Sequence, residues 1–184
     1  MNSISKYYDK ANTAQDKNID CYDNCKHPAP GKALLRCNNG SFGPGLIVFP
    51  TPDIPIAVNQ PIASVTIDTA CLCNPEVLVD FAGILTGTII DAAIIATLNF
   101  TLYKTCKGIA APIPLTTFTF SYVNVISPFP DSRTLKFEYL SCDNMCVDCC
   151  TYTLELTSIS NLGVGTISIS INGNIFILAV ESPK

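Results

Sequence analysis

The sequence predicts an all-β fold, a jelly roll or a related β-sandwich of about eight to ten antiparallel strands. From Lys32 onward, short runs recur in which apolar and polar residues alternate. Such alternation is typical of strands that have one face in a core and the other in water. No stretch shows the longer apolar period of an extended helix, so no helical pattern competes with the strands.

The alternation defines each strand in turn. In one run, for example, Val77 and Val79 face the core while Asp80 faces water. The runs cover residues 32–37, 46–49, 65–68, 77–81, 96–103, 117–122, 134–139, 151–157, 166–171 and 175–180. Asn172-Gly173 lies between the last two runs and predicts a hairpin there, because Asn-Gly favours two-residue turns.

A polar N-terminal segment sets the start of the domain. Residues 1–31 are charge-mixed and nearly free of aliphatic side chains, which predicts a flexible N-terminal connector arm. Residues 32–184 form the sandwich domain. Prolines at 44, 50, 52, 55 and 61 predict a long loop between the first strands, because proline cannot donate a hydrogen bond to a central ladder.

Composition and charge exclude two classes of partner. The net charge is −4 and the eleven Lys and Arg are scattered singly, so no basic face is available for nucleic acid. The most apolar stretch, residues 81–103, is interrupted by Asp91 and two glycines and is too broken to span a membrane. Thr and Ser occupy the polar phase of most strands, and only 14% of the residues are charged. We therefore expect much of this surface to be covered.

Ten cysteines are the most unusual feature of the chain. A domain of this size can bury a sufficient core without them, so they point to a further role. Cysteine-rich proteins usually mature in oxidising compartments, yet the first twenty residues lack the apolar segment of a secretory signal. Three explanations are open: the thiols hold metal in the cytosol, a secretory signal has been removed from the chain, or the protein is released by lysis of the cell that makes it.

The densest cluster consists of Cys142, Cys146, Cys149 and Cys150. Four thiolates in nine residues could close a zinc site, but zinc sites usually combine two cysteine pairs from separate turns. The adjacent Cys149 and Cys150 are also poorly placed to ligate one ion. We therefore favour disulfides here and expect no cofactor.

Two cysteine pairs are candidates for links between subunits. Cys21 and Cys25 lie on the arm, where they either close a small local loop or reach another molecule. Cys71 and Cys73 are two residues apart at a strand end, so they point to one face and could receive two incoming thiols. Alternatively, Cys71 and Cys73 form disulfides inside the sandwich, with Cys37 or Cys106 as partner.

Catalytic chemistry is not expected. His27 is the only histidine and precedes a proline on the arm, so no Ser-His or Cys-His arrangement is available without folding it back. Asp68, Asp80 and Asp91 occur singly on polar strand faces or in loops. Their pattern is that of a solvated surface, and we expect the protein not to be an enzyme.

Residues 66–81, 100–106 and 142–152 together resemble an uncharacterised family of small cysteine-rich proteins from spore-forming Firmicutes. That family is similar in plan to the subunits of endospore appendages, which are jelly rolls with an N-terminal connector. In those subunits the connector cysteines form disulfides to subunits further along a fibre. The resemblance implies the same role for Cys21 and Cys25, and release when the mother cell lyses.

The sequence thus predicts the structural subunit of a self-assembling, disulfide cross-linked extracellular fibre, in which copies stack head to tail and the arm bridges neighbouring copies. Its expected partners are copies of itself and a spore-coat or exosporium anchor, and its expected location is the spore surface, reached without a secretory signal. Two alternatives remain: a zinc-binding module built on residues 142–150, and a carbohydrate-binding jelly roll. The second is weakened by the absence of Trp and by aromatic residues that fall on the inward phase.

Overall fold

The computed structural model describes residues 33–70, 72, 75–90, 94–108, 110–124, 129–142 and 149–181. The arm, residues 1–31, lies outside this range. The described chain forms eight strands: β1 (Ala33–Phe49), β2 (Ile56–Ile67), β3 (Pro75–Ile89), β4 (Ile94–Cys106), β5 (Ile113–Asn124), β6 (Asp131–Cys142), β7 (Cys150–Asn161) and β8 (Gly165–Glu181). It includes no helix with the length and apolarity that a membrane span requires.

The strands form two four-stranded antiparallel sheets. The first sheet has the order β1-β8-β3-β6 and the second the order β2-β7-β4-β5. Each sheet alternates strands from the two halves of the chain, which is the arrangement of an eight-stranded jelly roll built from two Greek keys. The predicted fold class is confirmed, and the strand number is at the lower end of the predicted range.

The core lies between the sheets and follows the predicted alternation. In β8, Ile167, Ile169, Ile171, Ile175 and Ile177 are all buried. Phe81 and Phe100 reach the same core from β3 and β4. A continuous apolar cluster of this size supplies the main stabilisation of a domain through the removal of apolar surface from water.

The predicted hairpin at Asn172-Gly173 is wrong. β8 runs without interruption through both residues, and Gly173 lies between Gly40 of β1 and Gly83 of β3. The odd-numbered residues of β8 keep the same inward phase before and after Gly173. A two-residue turn would have paired the two halves with each other, whereas each half already has a neighbour on both sides.

The predicted long proline loop is also wrong in extent. The connection between β1 and β2 covers only residues 50–55. Pro44 lies inside β1 after a cis peptide bond, and Pro61 lies inside β2. Both strands are at sheet edges and are irregular at these positions, so the missing proline N–H leaves no ladder bond unmade.

Two glycines of the first sheet lie at crowded positions. A side chain at Gly40 would collide with Ala63 of β2, and one at Gly173 would collide with the ring of Phe81. Glycine is therefore required at both positions for packing, because the space of a side chain is already taken.

Hydroxyl groups cover much of the outer face of the second sheet. Thr66 and Thr151 hydrogen-bond each other across β2 and β7 at 2.8 Å. The Oγ1 atom of Thr101 on β4 lies 3.4 Å from the Oγ1 atoms of both Thr117 on β5 and Thr157 on β7. Cross-strand pairs of this kind stabilise a sheet locally, and here they replace the charged pairs common on soluble sheets.

Candidate site of covalent assembly

The described cysteines gather towards one end of the sandwich. β4 ends at Cys106, β6 ends at Cys142 and β7 begins at Cys150. The register pairs Cys106 with Cys150 and Cys142 with Glu76, so these strand termini lie together. We call this the cysteine end.

Cys106 and Cys150 form a disulfide that joins β4 to β7. Their Cα atoms are 4.1 Å apart at directly opposed positions, and the two residues are only 3% and 2% exposed. The bond is thus enclosed within one sandwich, and Cys106 is not available to Cys71 or Cys73. Cys150 is likewise removed from any zinc site formed by residues 142–150.

Two cysteines among the described residues are free thiols. Cys37 is exposed on β1, opposite Phe176 on the outer face of the first sheet. Cys149 is half-buried immediately before β7, and its carbonyl oxygen accepts a hydrogen bond from the backbone N–H of Lys107. Unlike the disulfide, neither thiol is enclosed in the core.

The remaining candidate cysteines cannot be placed. Cys21, Cys25, Cys71, Cys73 and Cys146 lie outside the described residues, and only the backbone of Cys142 is described. Within the described ranges, no group of three or more His, Cys, Asp or Glu side chains is close enough to hold a metal ion.

The arm joins the sandwich at the cysteine end. β1 begins at Ala33, which pairs with Val180 near the end of β8. Val180 in turn pairs with Glu76, the neighbour of Cys142. The segment that carries Cys21 and Cys25 is therefore attached at the same end as the described cysteines.

β6 is the most regular edge of the sandwich. Each of the other edge strands, β1, β2 and β5, contains a proline and has a break in register with its neighbour. β6 contains no proline and pairs with β3 without a shift from Asp131 to Cys142. A regular edge strand presents unpaired N–H and C=O groups to another chain.

The opposite end of the sandwich is apolar. It carries the loops between β1 and β2, β3 and β4, β5 and β6, and β7 and β8. Of the thirteen large apolar side chains exposed in the described part of the chain, nine lie in these loops or near the strand ends that enter them: Leu46, Val48, Ile54, Ile90, Ile95, Val123, Phe129, Leu162 and Val164. We call this the apolar end.

The side chain of Asn161 organises the apolar end. Asn161 is 2% exposed. Its Oδ1 accepts from the N–H of Ile95 at 2.9 Å, and its Nδ2 donates to the C=O of Gly163 at 2.9 Å. Its backbone C=O accepts from the N–H of Asp53 at 2.7 Å. One residue thus fixes parts of three segments that carry exposed apolar side chains.

Sequence reasoning missed the apolar end. The available signal was the presence of Ile54, Phe129, Leu162 and Val164 beside Pro, Gly and Asn in the segments between strands. Such segments lie on the surface, so large apolar residues within them are exposed. The gathering of these segments at one end depends on strand pairing, which the local pattern does not give.

Comparison with solved structures finds distant likenesses. The infectious bursal disease virus VP2 subviral particle matches with 13% identity and a TM-score of 0.37, over 85% of this chain and 38% of the viral chain. Eiger TNF from S. frugiperda matches with 13% identity and a TM-score of 0.30, over 85% of this chain and 95% of that chain. This chain therefore spans well under half of the viral chain it resembles. No curated protein matches it.

A family model, in contrast, matches residues 32–180, which include nearly the whole sandwich. The chain therefore belongs to the family described as "Domain of unknown function (DUF4489)".

Proposed function

We propose that this protein is a structural subunit of a self-assembling, disulfide cross-linked extracellular fibre of the spore-appendage kind, with no catalytic role. The observation that carries the proposal is the position of the arm. It begins at the cysteine end, so a segment with two cysteines is tethered beside a cluster of further cysteines. Copies of such a unit can be joined in series.

The cysteines divide into two classes by exposure. The Cys106–Cys150 disulfide is buried and stabilises one sandwich. Cys37 and Cys149 are free and more accessible, so they are acceptable targets for a thiol from another copy. Cys21 and Cys25 of the arm are the proposed donors of that link, with Cys71 and Cys73 as alternative targets.

The regular edge of β6 supplies a non-covalent contact. Pairing of β6 with an edge of a second copy extends the sheet, and a contact between two different surfaces repeats without closing. Disulfides then hold a chain of subunits whose individual contacts are weak. This role suits an oxidising place outside the cell, such as the spore surface, with copies of the chain as main partner and a coat protein as anchor.

The test is electrophoresis of assembled protein after boiling in detergent, with and without reductant, alongside electron microscopy. We expect a ladder of covalent multimers that collapses to monomer on reduction, together with filaments. Two double variants, Cys21→Ser/Cys25→Ser and Cys37→Ser/Cys149→Ser, should each reduce the amount of covalent multimer in the unreduced lane. The matched control Cys106→Ala/Cys150→Ala should retain it, because that pair is enclosed in one subunit.

Monomer in both lanes and no filaments from oxidised full-length protein would overturn the proposal. Stoichiometric zinc in the purified protein would instead favour a metal-binding module. A tryptic peptide containing a Cys21–Cys25 bridge as the dominant species would show that the arm does not link subunits.

A further inference from the structure

We infer that the apolar end of one copy is covered by the cysteine end of a second copy. The inference rests on the proposed assembly of identical subunits and adds which surfaces meet.

The first argument is the amount of apolar surface. Leu162 is 62% exposed and Val164 is 56% exposed, and seven other large apolar side chains at this end are comparably open. Together such side chains present on the order of several hundred Å² of apolar surface. This is at or above the roughly 300–600 Å² of the largest patch on a typical monomer.

The second argument is that the surface is organised before it is covered. Asn161 is buried and bonds to Ile95, Gly163 and Asp53, so the loops that present Ile54 and Leu162 are tied to the ends of β4 and β7. A surface fixed in advance loses less conformational entropy on binding than a mobile one does. The apolar end thus has the properties of a docking surface.

The length of the arm selects the occupant. Ala33 at the cysteine end follows Cys21 by twelve positions, and this stretch extends to about 40 Å at most. The twelve residues of β6 give the sandwich a comparable length of about 40 Å. If the cysteine end of one copy sits on the apolar end of the next, its arm can run along that neighbour and reach the neighbour's own cysteine end.

The alternative pairing of two apolar ends does not use the arm. In that dimer the cysteine ends lie about two sandwich lengths apart, on the order of 80 Å. An arm of about 40 Å attached at one end would then reach only the junction. No described cysteine lies at that junction, since those of the partner are at its far end.

The chemistry of the cysteine end fits this role. Its β4–β5 connection exposes Ala110, Ala111 and Pro112, and Ile113 at the start of β5 is 44% exposed. These side chains give the cysteine end an uncharged apolar ridge beside exposed Lys107. Exposed Asp68 lies at the cysteine end as well, and the apolar end carries exposed Asp53 and Arg133. Both ends therefore expose uncharged apolar side chains, with charges of both signs beside them.

Substitution of exposed side chains tests the contact without disturbing the core. Full-length protein with all disulfides reduced is examined by sedimentation velocity at increasing concentration. We expect reversible association of the unaltered chain. Leu162→Lys or Val164→Lys should weaken the affinity of this association by about tenfold or more, the change expected from losing one buried apolar side chain. Ile84→Lys is the matched control, because Ile84 is 53% exposed on the outer face of the first sheet, away from both ends.

A photo-crosslinker identifies the partner surface. Benzoylphenylalanine in place of Phe129, which is 74% exposed, should cross-link to peptides containing residues 107–113 of another copy. Cross-links to residues 160–166 of another copy would mean that apolar ends meet each other, which overturns the inference. Equal association of Val164→Lys and the unaltered chain would overturn it as well. If covalent filaments still form in that case, the proposed function stands and only this contact fails.

Discussion

Cys106 and Cys150 face each other across β4 and β7, and the disulfide between them is buried where the two strands meet the cysteine end. The bond closes a segment with a sequence separation of 44 that includes β5 and β6. Those two strands form edges of different sheets, and the disulfide joins the strand that precedes them to the strand that follows them.

Removal of this disulfide should lower the stability of each subunit without affecting links between subunits. Cys106→Ala/Cys150→Ala should reduce the free energy of unfolding by about 2–4 kcal/mol, because the unfolded chain regains the entropy of an open loop. Urea unfolding under non-reducing conditions measures the change. The exposed Cys37→Ser should stay within about 0.5 kcal/mol of the unaltered chain. An equal loss in both variants would contradict the structural role of the buried bond.

Deletion of residues 1–30 should leave the sandwich folded. The described core, from Ile47 to Ala179, is complete without them. The truncated protein should keep its β-type circular dichroism and its thermal midpoint, and should form no covalent multimers. Loss of the β signal would mean that part of the arm packs into the core.

Asn161→Ala should destabilise the apolar end. The substitution leaves the N–H of Ile95 and the C=O of Gly163 without their side-chain partner, which costs about 1–3 kcal/mol where they stay dry. Urea unfolding measures the loss in free energy of unfolding, and amide hydrogen exchange should show faster exchange at Ile95 and in residues 162–164. Asn174→Ala, at an exposed position of β8, is the control and should be nearly neutral. Similar exchange in both variants would argue against Asn161 as the organiser.

Asp80→Asn should stabilise the protein. Asp80 on β3 lies directly opposite Glu138 on β6, and among the described residues its Oδ1 is buried without a hydrogen-bond partner. Like charges at opposed positions destabilise a sheet, so removal of one should add about 0.2–1 kcal/mol at neutral pH. Glu138→Gln should give a similar gain. The double variant should gain less than the sum of the two, and full additivity would show that the two carboxylates do not interact.

The alternation of side chains was enough to predict the fold class and most of the core. Val77, Val79 and Phe81 are buried as their phase requires. The hairpin failed because an Asn-Gly pair reports only local turn preference, while Gly173 is held by strands more than eighty residues away in sequence. The same limit applies to the site: pairing of Cys106 with Cys150 depends on long-range register, which no local pattern specifies.

Three glycines of the first sheet limit which substitutions the interior of the sandwich can accept. Gly40, Gly173 and Gly83 pair in one line across β1, β8 and β3, and Ala63 and Phe81 fill the space in front of them. A larger residue at any of the three would require simultaneous changes on another strand. The centre of the sandwich is therefore nearly fixed, whereas exposed positions in the loops at its ends can be substituted without loss of the fold. Relatives can thus change the copies with which they assemble while keeping the same interior.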